Sequence, residues 1–211
     1  MLKIITLCLC CFLNVSFSQH NIPSTERLNA LFSSIKNNEP GISVGIVKDG
    51  DLIYTYQRGM SNLEYDIPIT PKTVFGLASV TKQMTSACIG VLVKNGKLNI
   101  NHDVRKYIPE LPNYKATIKI KHLLNHTSGL RNHNVLLNLK GFDYEHMGYT
   151  NKSIQELIFS QNGINNLPGE KMLYANSNYV LLALIIERVS GQKIEEFAEK
   201  KLFEPLGMKH T

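Results

Sequence analysis

Phe75-Gly76-Leu77-Ala78-Ser79-Val80-Thr81-Lys82-Gln83 runs directly into Met84 to Val93, an almost wholly apolar stretch with small Ser86, Ala87 and Gly90, closed by Asn95-Gly96. This composition predicts a helix buried on all sides, with a serine and a lysine three residues apart on one face of its first turn. The start of a helix presents unpaired N–H groups and the positive end of the macrodipole, so it favours negative charge. The S-x-x-K pattern recurs at Ser33/Lys36 and Ser190/Lys193. Ser33 falls in a predicted amphipathic helix, Ser24 to Asn38, whose stripe is Leu28, Leu31, Phe32 and Ile35, leaving Lys36 as a solvated charge. Ser190 precedes Gly191, a helix stop. Ser79 and Lys82 are thus the pair whose surroundings suit chemistry.

A serine hydroxyl is a poor nucleophile until a base takes its proton, and no histidine stands next to Ser79 in sequence. Lys82 can be that base if burial or neighbouring positive charge favours its neutral form. Tyr174, in Tyr174-Ala175-Asn176 ahead of a second apolar helix, is another candidate, because a phenol beside a lysine can exist partly as phenolate and pass the proton to a leaving group. Asn176 can offer its amide to a substrate carbonyl or to Lys82. A second Y-x-N, at Tyr149/Asn151, lacks this context.

The nine residues from Phe75 to Gln83 resemble the nucleophile motif of the class C β-lactamase and D-Ala-D-Ala carboxypeptidase family, the β-lactamase-related serine hydrolases. The likeness extends to His122-Leu123-Leu124-Asn125-His126-Thr127-Ser128-Gly129-Leu130, to Pro168-Gly169-Glu170 ahead of Tyr174-Ala175-Asn176, and to Pro205-Leu206-Gly207-Met208. It implies that Ser79 is the acylated nucleophile, Lys82 its partner, Tyr174 the general base or acid and Asn176 a substrate-binding amide. It also implies an α/β (α+β) fold of β-lactamase/transpeptidase type, an antiparallel sheet beside a helical domain, acting on a peptide, β-lactam or ester bond with no cofactor. The family's third motif, a Lys-Thr-Gly or His-x-Gly strand that supplies one of two oxyanion donors, has no counterpart before Thr211. The expectation is therefore a C-terminally truncated domain lacking its last strands; a catalytically incompetent fragment or a non-catalytic ligand- or partner-binding relative is the alternative.

At the start of the chain, Lys3, the apolar run Ile4 to Leu13 and small Ser16 and Ser18 read as a signal peptide over residues 1–18, with the exported protein beginning at Gln19. This predicts a periplasmic or secreted protein with no stable membrane insertion after cleavage. Residues 19–211 then form the incomplete hydrolase domain, 19–75 belonging to its α/β region and 76–211 mainly helical. Cys8, Cys10 and Cys11 leave with the peptide, and Cys88 is expected as an inert core thiol. The formal charge of +6 is scattered, with no basic patch interleaved with aromatics, which argues against nucleic acid and for a small-molecule or peptide substrate. His122 and His126 are four apart but lack the Glu of H-E-x-x-H, so no metal site is read there.

Within the body, Ile42, Val44 and Ile46 alternate with small residues before Asp49-Gly50, and Leu52 to Gln57 follows, which predicts a β-hairpin. Helices are predicted near Lys121 to Asn125, after Thr150 through Ile154, Leu157 and Ile158, from Ser177 to Val189, and after Gly191. The polar, weakly periodic stretch from Arg131 to Tyr149 predicts a loop.

Overall fold

The structure, a computed structural model, describes residues 24–142, 148–209 and 211; the expected leader at residues 1–18 lies outside them. The chain divides between Phe75 and Gly76 into two compact units.

In the first unit, Ser24 caps helix α1 (Thr25–Leu31) by accepting the Arg27 N–H on its hydroxyl. The sequence predicts helix as far as Asn38, but α1 stops at Leu31. One long-range and one local contact hold the chain that follows it. Phe32 stacks on Tyr56 with ring centroids 5.7 Å apart, and Lys36 closes on Glu39 through its backbone N–H at 3.3 Å and its ammonium at 3.1 Å. Ser33 therefore lies in a turn and Lys36 in the irregular segment after it. Strands β1 (Ile42–Lys48) and β2 (Asp51–Arg58) pair antiparallel. Asp49 and Gly50, at φ 52° and 92°, supply the left-handed residues of the hairpin turn that the sequence predicts. A second antiparallel pair, β3 (Met60–Asn62) with β4 (Ile67–Pro68), is too short to leave a periodic signal. Among the described residues of this unit, the buried hydrophobic side chains are Leu28, Tyr56 and Ile69. The Tyr56 hydroxyl donates to Asn29 Oδ1 at 2.8 Å, tying β2 to α1.

The second unit is helical: α2 (Lys82–Lys94), α3 (Ile120–Leu124), α4 (His133–Leu139), α5 (Asn151–Phe159), α6 (Asn176–Ser190) and α7 (Ile194–Ala198), which runs into a π-helical turn at Glu199–Phe203. Its centre is α6, which buries Leu181, Leu182, Leu184, Ile185 and Ile186 and touches α2, α3, α4, α5 and α7. Each such side chain removed from water contributes roughly 1.5–3 kcal/mol. Gly191, at φ 71°, ends α6 in the left-handed conformation expected of a helix-stopping glycine. Thr150 caps α5, and Ile154, Leu157 and Ile158 form its buried face.

Two expectations are corrected in this unit. The apolar run of α2 does not make a helix buried on all sides: Cys88, Ile89 and Leu92 are buried, while Gly90 and Val93 are exposed. An apolar composition does not say which faces find a partner. Cys88 is buried in the core, and burial pushes its thiol up, which disfavours the reactive thiolate. The stretch after Arg131 is not wholly loop either. Asn132 accepts the Asn134 N–H and starts α4, which buries His133 and Leu137 among polar neighbours that blur its periodicity. Arg188 in the last turn of α6 makes two bonds to the Glu110 carboxylate, at 2.7 and 2.8 Å, and one to the Tyr107 carbonyl at 2.9 Å. No helix among the described residues is long and apolar enough to cross a membrane.

Candidate active site

Ser79 sits in a 3-10 turn, Ala78–Thr81, immediately before α2 begins at Lys82. The tight turn and the first helical residue put the two side chains together: Lys82 Nζ donates to Ser79 Oγ at 2.9 Å. Ala78, just before the serine, has φ 44°, a left-handed conformation that costs a residue with a Cβ and persists only where its surroundings impose it. That strain left no mark in the sequence.

Tyr174 arrives from 95 residues away, in the extended segment that leads into α6, and its hydroxyl lies 2.7 Å from Ser79 Oγ. Lys82 Nζ also stands 5.1 Å from the Tyr174 ring centre and 5.5 Å from that of Tyr179. Partial desolvation raises the Tyr174 phenol, but hydrogen bonding to Lys82 and Ser79 together with the Lys82 charge outweighs it and holds the group below its ordinary value. Three of the four residues picked out from sequence thus converge. Asn176 adjoins them but turns elsewhere: its Nδ2 donates to Asn134 Oδ1 at 3.3 Å and its backbone N–H to Asn132 Oδ1 at 3.2 Å. Tyr149 of the other Y-x-N lies edge-on to His133 instead, ring centres 6.5 Å apart.

Buried polar groups hold Tyr174 in place. Ser177 Oγ accepts the His133 N–H at 2.8 Å and donates to the Arg131 carbonyl at 2.7 Å. Ser128 Oγ donates to Asn178 Oδ1 at 2.6 Å. These bonds join the first turn of α6 to the 126–134 segment. Tyr179 donates to the Leu124 carbonyl at 3.2 Å and lies 3.1 Å from Ser86 Oγ, linking α6 to α3 and α2. Burial first, and then the Lys82 charge, push His133 down to about 4 and lower His126 as well, so both rings are neutral at pH 7. Sequence reading assigns no role to Asn132, Asn134, Ser177 or Asn178, and names His126 only within the likeness over residues 122–130 and in a histidine pair read as no metal site. The neighbourhood of Thr127-Ser128-Gly129 was the available signal.

Beside Tyr174 opens a cleft of roughly 390 Å³, walled mainly by Leu130, Val135, Leu136, Leu139 and Leu173, with Arg131 and Asn132 on its polar side. Its volume lies in the range of small-molecule sites. Chemically, the assembly sets an amine and a phenol on one serine hydroxyl, beside a mainly apolar cleft that also carries an arginine.

Most of the chain is similar to known proteins. The family profile described as Beta-lactamase matches residues 28–211. Penicillin-binding protein 4* of Bacillus subtilis (strain 168) is 31% identical over 189 residues, covering 88% of this chain and 41% of that protein. The octameric penicillin-binding protein homologue from Pyrococcus abyssi superposes with a TM-score of 0.76 at 32% identity, over 87% of this chain and 43% of its own. D-amino acid amidase from Ochrobactrum anthropi SV3 gives a TM-score of 0.71 at 26% identity, over 86% and 50%. The chain thus spans half or less of the length of these relatives. Its helices and small antiparallel sheets have the β-lactamase/transpeptidase-like fold. A profile match over most of the sequence, on a fold shared with the penicillin-binding homologue, makes this chain a member of the beta-lactamase family.

Proposed function

We propose that this chain carries the nucleophile and proton-handling groups of an exported serine hydrolase that opens a peptide, β-lactam or ester carbonyl through an acyl-enzyme at Ser79. The observation that carries the reading is the relay Lys82 Nζ, Ser79 Oγ, Tyr174 Oη, with steps of 2.9 and 2.7 Å. An ammonium only donates, so Lys82 occupies a lone pair of Oγ and leaves the serine proton directed at Tyr174. The lowered phenol suits Tyr174 to receive that proton, with Lys82 as the cation that stabilises phenolate.

In acylation, Oγ bonds to the substrate carbonyl carbon while the bond from that carbon to the leaving nitrogen or oxygen breaks. The serine proton passes through Tyr174 to the leaving atom. Water then attacks the ester, gives its proton back along the same route, and releases a carboxylic acid. The mainly apolar cleft beside Tyr174 is suited to an apolar substituent of the substrate; Asn176 serves the substrate amide by turning its own amide away from Asn134. Relatives named for penicillin binding and for D-amino acid amides favour an amide or lactam carbonyl over a simple ester.

A fluorophosphonate probe followed by peptide mass spectrometry tests the reading. The label is expected on Ser79 and lost in Ser79→Ala; Lys82→Ala and Tyr174→Phe should each slow labelling by about a hundredfold or more without unfolding the protein. Equal labelling of wild type and Ser79→Ala would sink the nucleophile assignment. Export is checked separately by the intact mass of the secreted form, which is expected to begin at Gln19; a mass that retains residues 1–18 counts against it.

A further inference from the structure

We propose that His126 is a positioning residue for Tyr174, holding the residues on both sides of the tyrosine so that its phenol stays on Ser79. The proposal rests on the reading of Ser79, Lys82 and Tyr174 as an acyl-transfer site, but the contacts that motivate it are independent of that reading. The carbonyl of His126 accepts the Leu173 N–H at 2.8 Å. Its ring Nδ1 accepts the Ala175 N–H at 3.2 Å. One residue therefore grips the chain immediately before and immediately after Tyr174. The imidazole also lies against the phenol, ring centres 4.3 Å apart and planes 32° from parallel, with Tyr179 on it at 5.2 Å.

A backbone carbonyl and a side chain reach the same short segment because His126 is bent into the left-handed region, at φ 55°. Among residues with a Cβ that region is most open to Asn, Asp and His. Strain of this kind persists only where surrounding contacts over-determine it. Asn178 supplies a further contact, its Nδ2 lying 3.1 Å from Nδ1, and Ser128 orients that amide by donating to its Oδ1. Two N–H donors on Nδ1 require a lone pair there, so the ring is neutral and carries its proton on Nε2. Burial and the Lys82 charge favour the same neutral form. With Nδ1 already occupied by donors, metal ligation through that atom is ruled out in this arrangement.

The clamp predicts a difference between two amide replacements. In His126→Asn, Oδ1 falls where Nδ1 was and the positive φ is tolerated. His126→Gln carries its oxygen one bond too far, and His126→Phe keeps a ring but offers no acceptor. The test is the full chain labelled with 13C at tyrosine Cζ, with Tyr174→Phe assigning the resonance and NMR following its titration. In the Gln and Phe variants Tyr174 is expected to titrate closer to an ordinary phenol. Fluorophosphonate labelling of Ser79 should slow about tenfold, the size of one lost hydrogen bond, at unchanged reversible affinity for the probe. The Asn variant is expected to recover both properties. A folded Gln or Phe variant that keeps the wild-type Tyr174 titration overturns the proposal, as does an Asn variant impaired as much as Gln. If Phe does not fold, the Asn and Gln pair decides. If wild-type labelling does not depend on Ser79, the acyl-transfer reading falls while the Tyr174 titration still decides the clamp.

Discussion

Gly129 sits at φ 76°, and a Cβ built on it would lie 2.0 Å from the Asn166 carbonyl oxygen. The obstacle is backbone rather than a flexible side-chain end, and the same glycine accepts the Asn165 N–H on its carbonyl at 2.7 Å. Neither group can withdraw cheaply. Gly129→Ala is therefore expected to destabilise the protein by at least about 2 kcal/mol, combining a clash with an unfavourable φ. Chemical denaturation of the two proteins measures this directly, and a change below about 0.5 kcal/mol would show that the 129 and 166 segments can separate freely. Because Gly129 adjoins Ser128, whose hydroxyl orients Asn178, the substitution should also slow labelling of Ser79 in whatever fraction remains folded.

Between elements, the clearest polar anchor is Arg188 of α6 on Glu110. The Arg188 hydrogen bonds are the main cause that holds the Glu110 carboxyl down at about 2. A carboxylate whose folded pKa is depressed adds stability above its unfolded pKa and loses it as pH falls through the folded value. Glu110→Gln should therefore cost stability at pH 6–7 and converge with wild type between about pH 4.5 and pH 2. The side chains are 48% and 34% exposed, so solvent screening limits the effect to about 0.2–1 kcal/mol. Melting curves of both proteins across this pH range test it; a difference that persists unchanged at pH 2 would mean that packing, and not charge, is responsible. Hydrogen bonds at the other end of α6, through Ser177 and Asn178, adjoin the buried neutral rings of His133 and His126, whose own acid titration is common to both proteins and cancels in the comparison.

Across the whole molecule the two units differ in how much apolar surface they bury. Among the described residues, the first buries Leu28, Tyr56 and Ile69, while the second gathers a continuous cluster from Cys88 to Ala198 around α6. Amides that open only on loss of a large core exchange slowest. Hydrogen exchange is thus expected to be slowest along Leu181 to Ile186 and much faster along β1 and β2, whose hydrogen bonds lie under few buried side chains. Slower exchange in the hairpin than in α6 would overturn this ranking.

Local chemistry made several features legible in the sequence. The Asp49-Gly50 turn and the Gly191 stop depend on which residues accept a left-handed backbone, and α5 was visible through Ile154, Leu157 and Ile158 on one helical face. The approach of Lys82 to Ser79 follows from a spacing of three at the start of a helix. What lay beyond sequence reading was set by groups distant along the chain. Phe32 left α1 for Tyr56, and α2 buried only one side because partners covered only that side. Tyr174 reached Ser79 across 95 residues because the first turn of α6 is bonded to the 126–134 segment. His126 showed its relation to Tyr174 only once the chain had folded, since a carbonyl and a ring nitrogen can grip a segment 47 residues away only through tertiary packing. Propensity and spacing act over a few residues and determine elements; the meeting of side chains from different elements is decided by the packing that buries them.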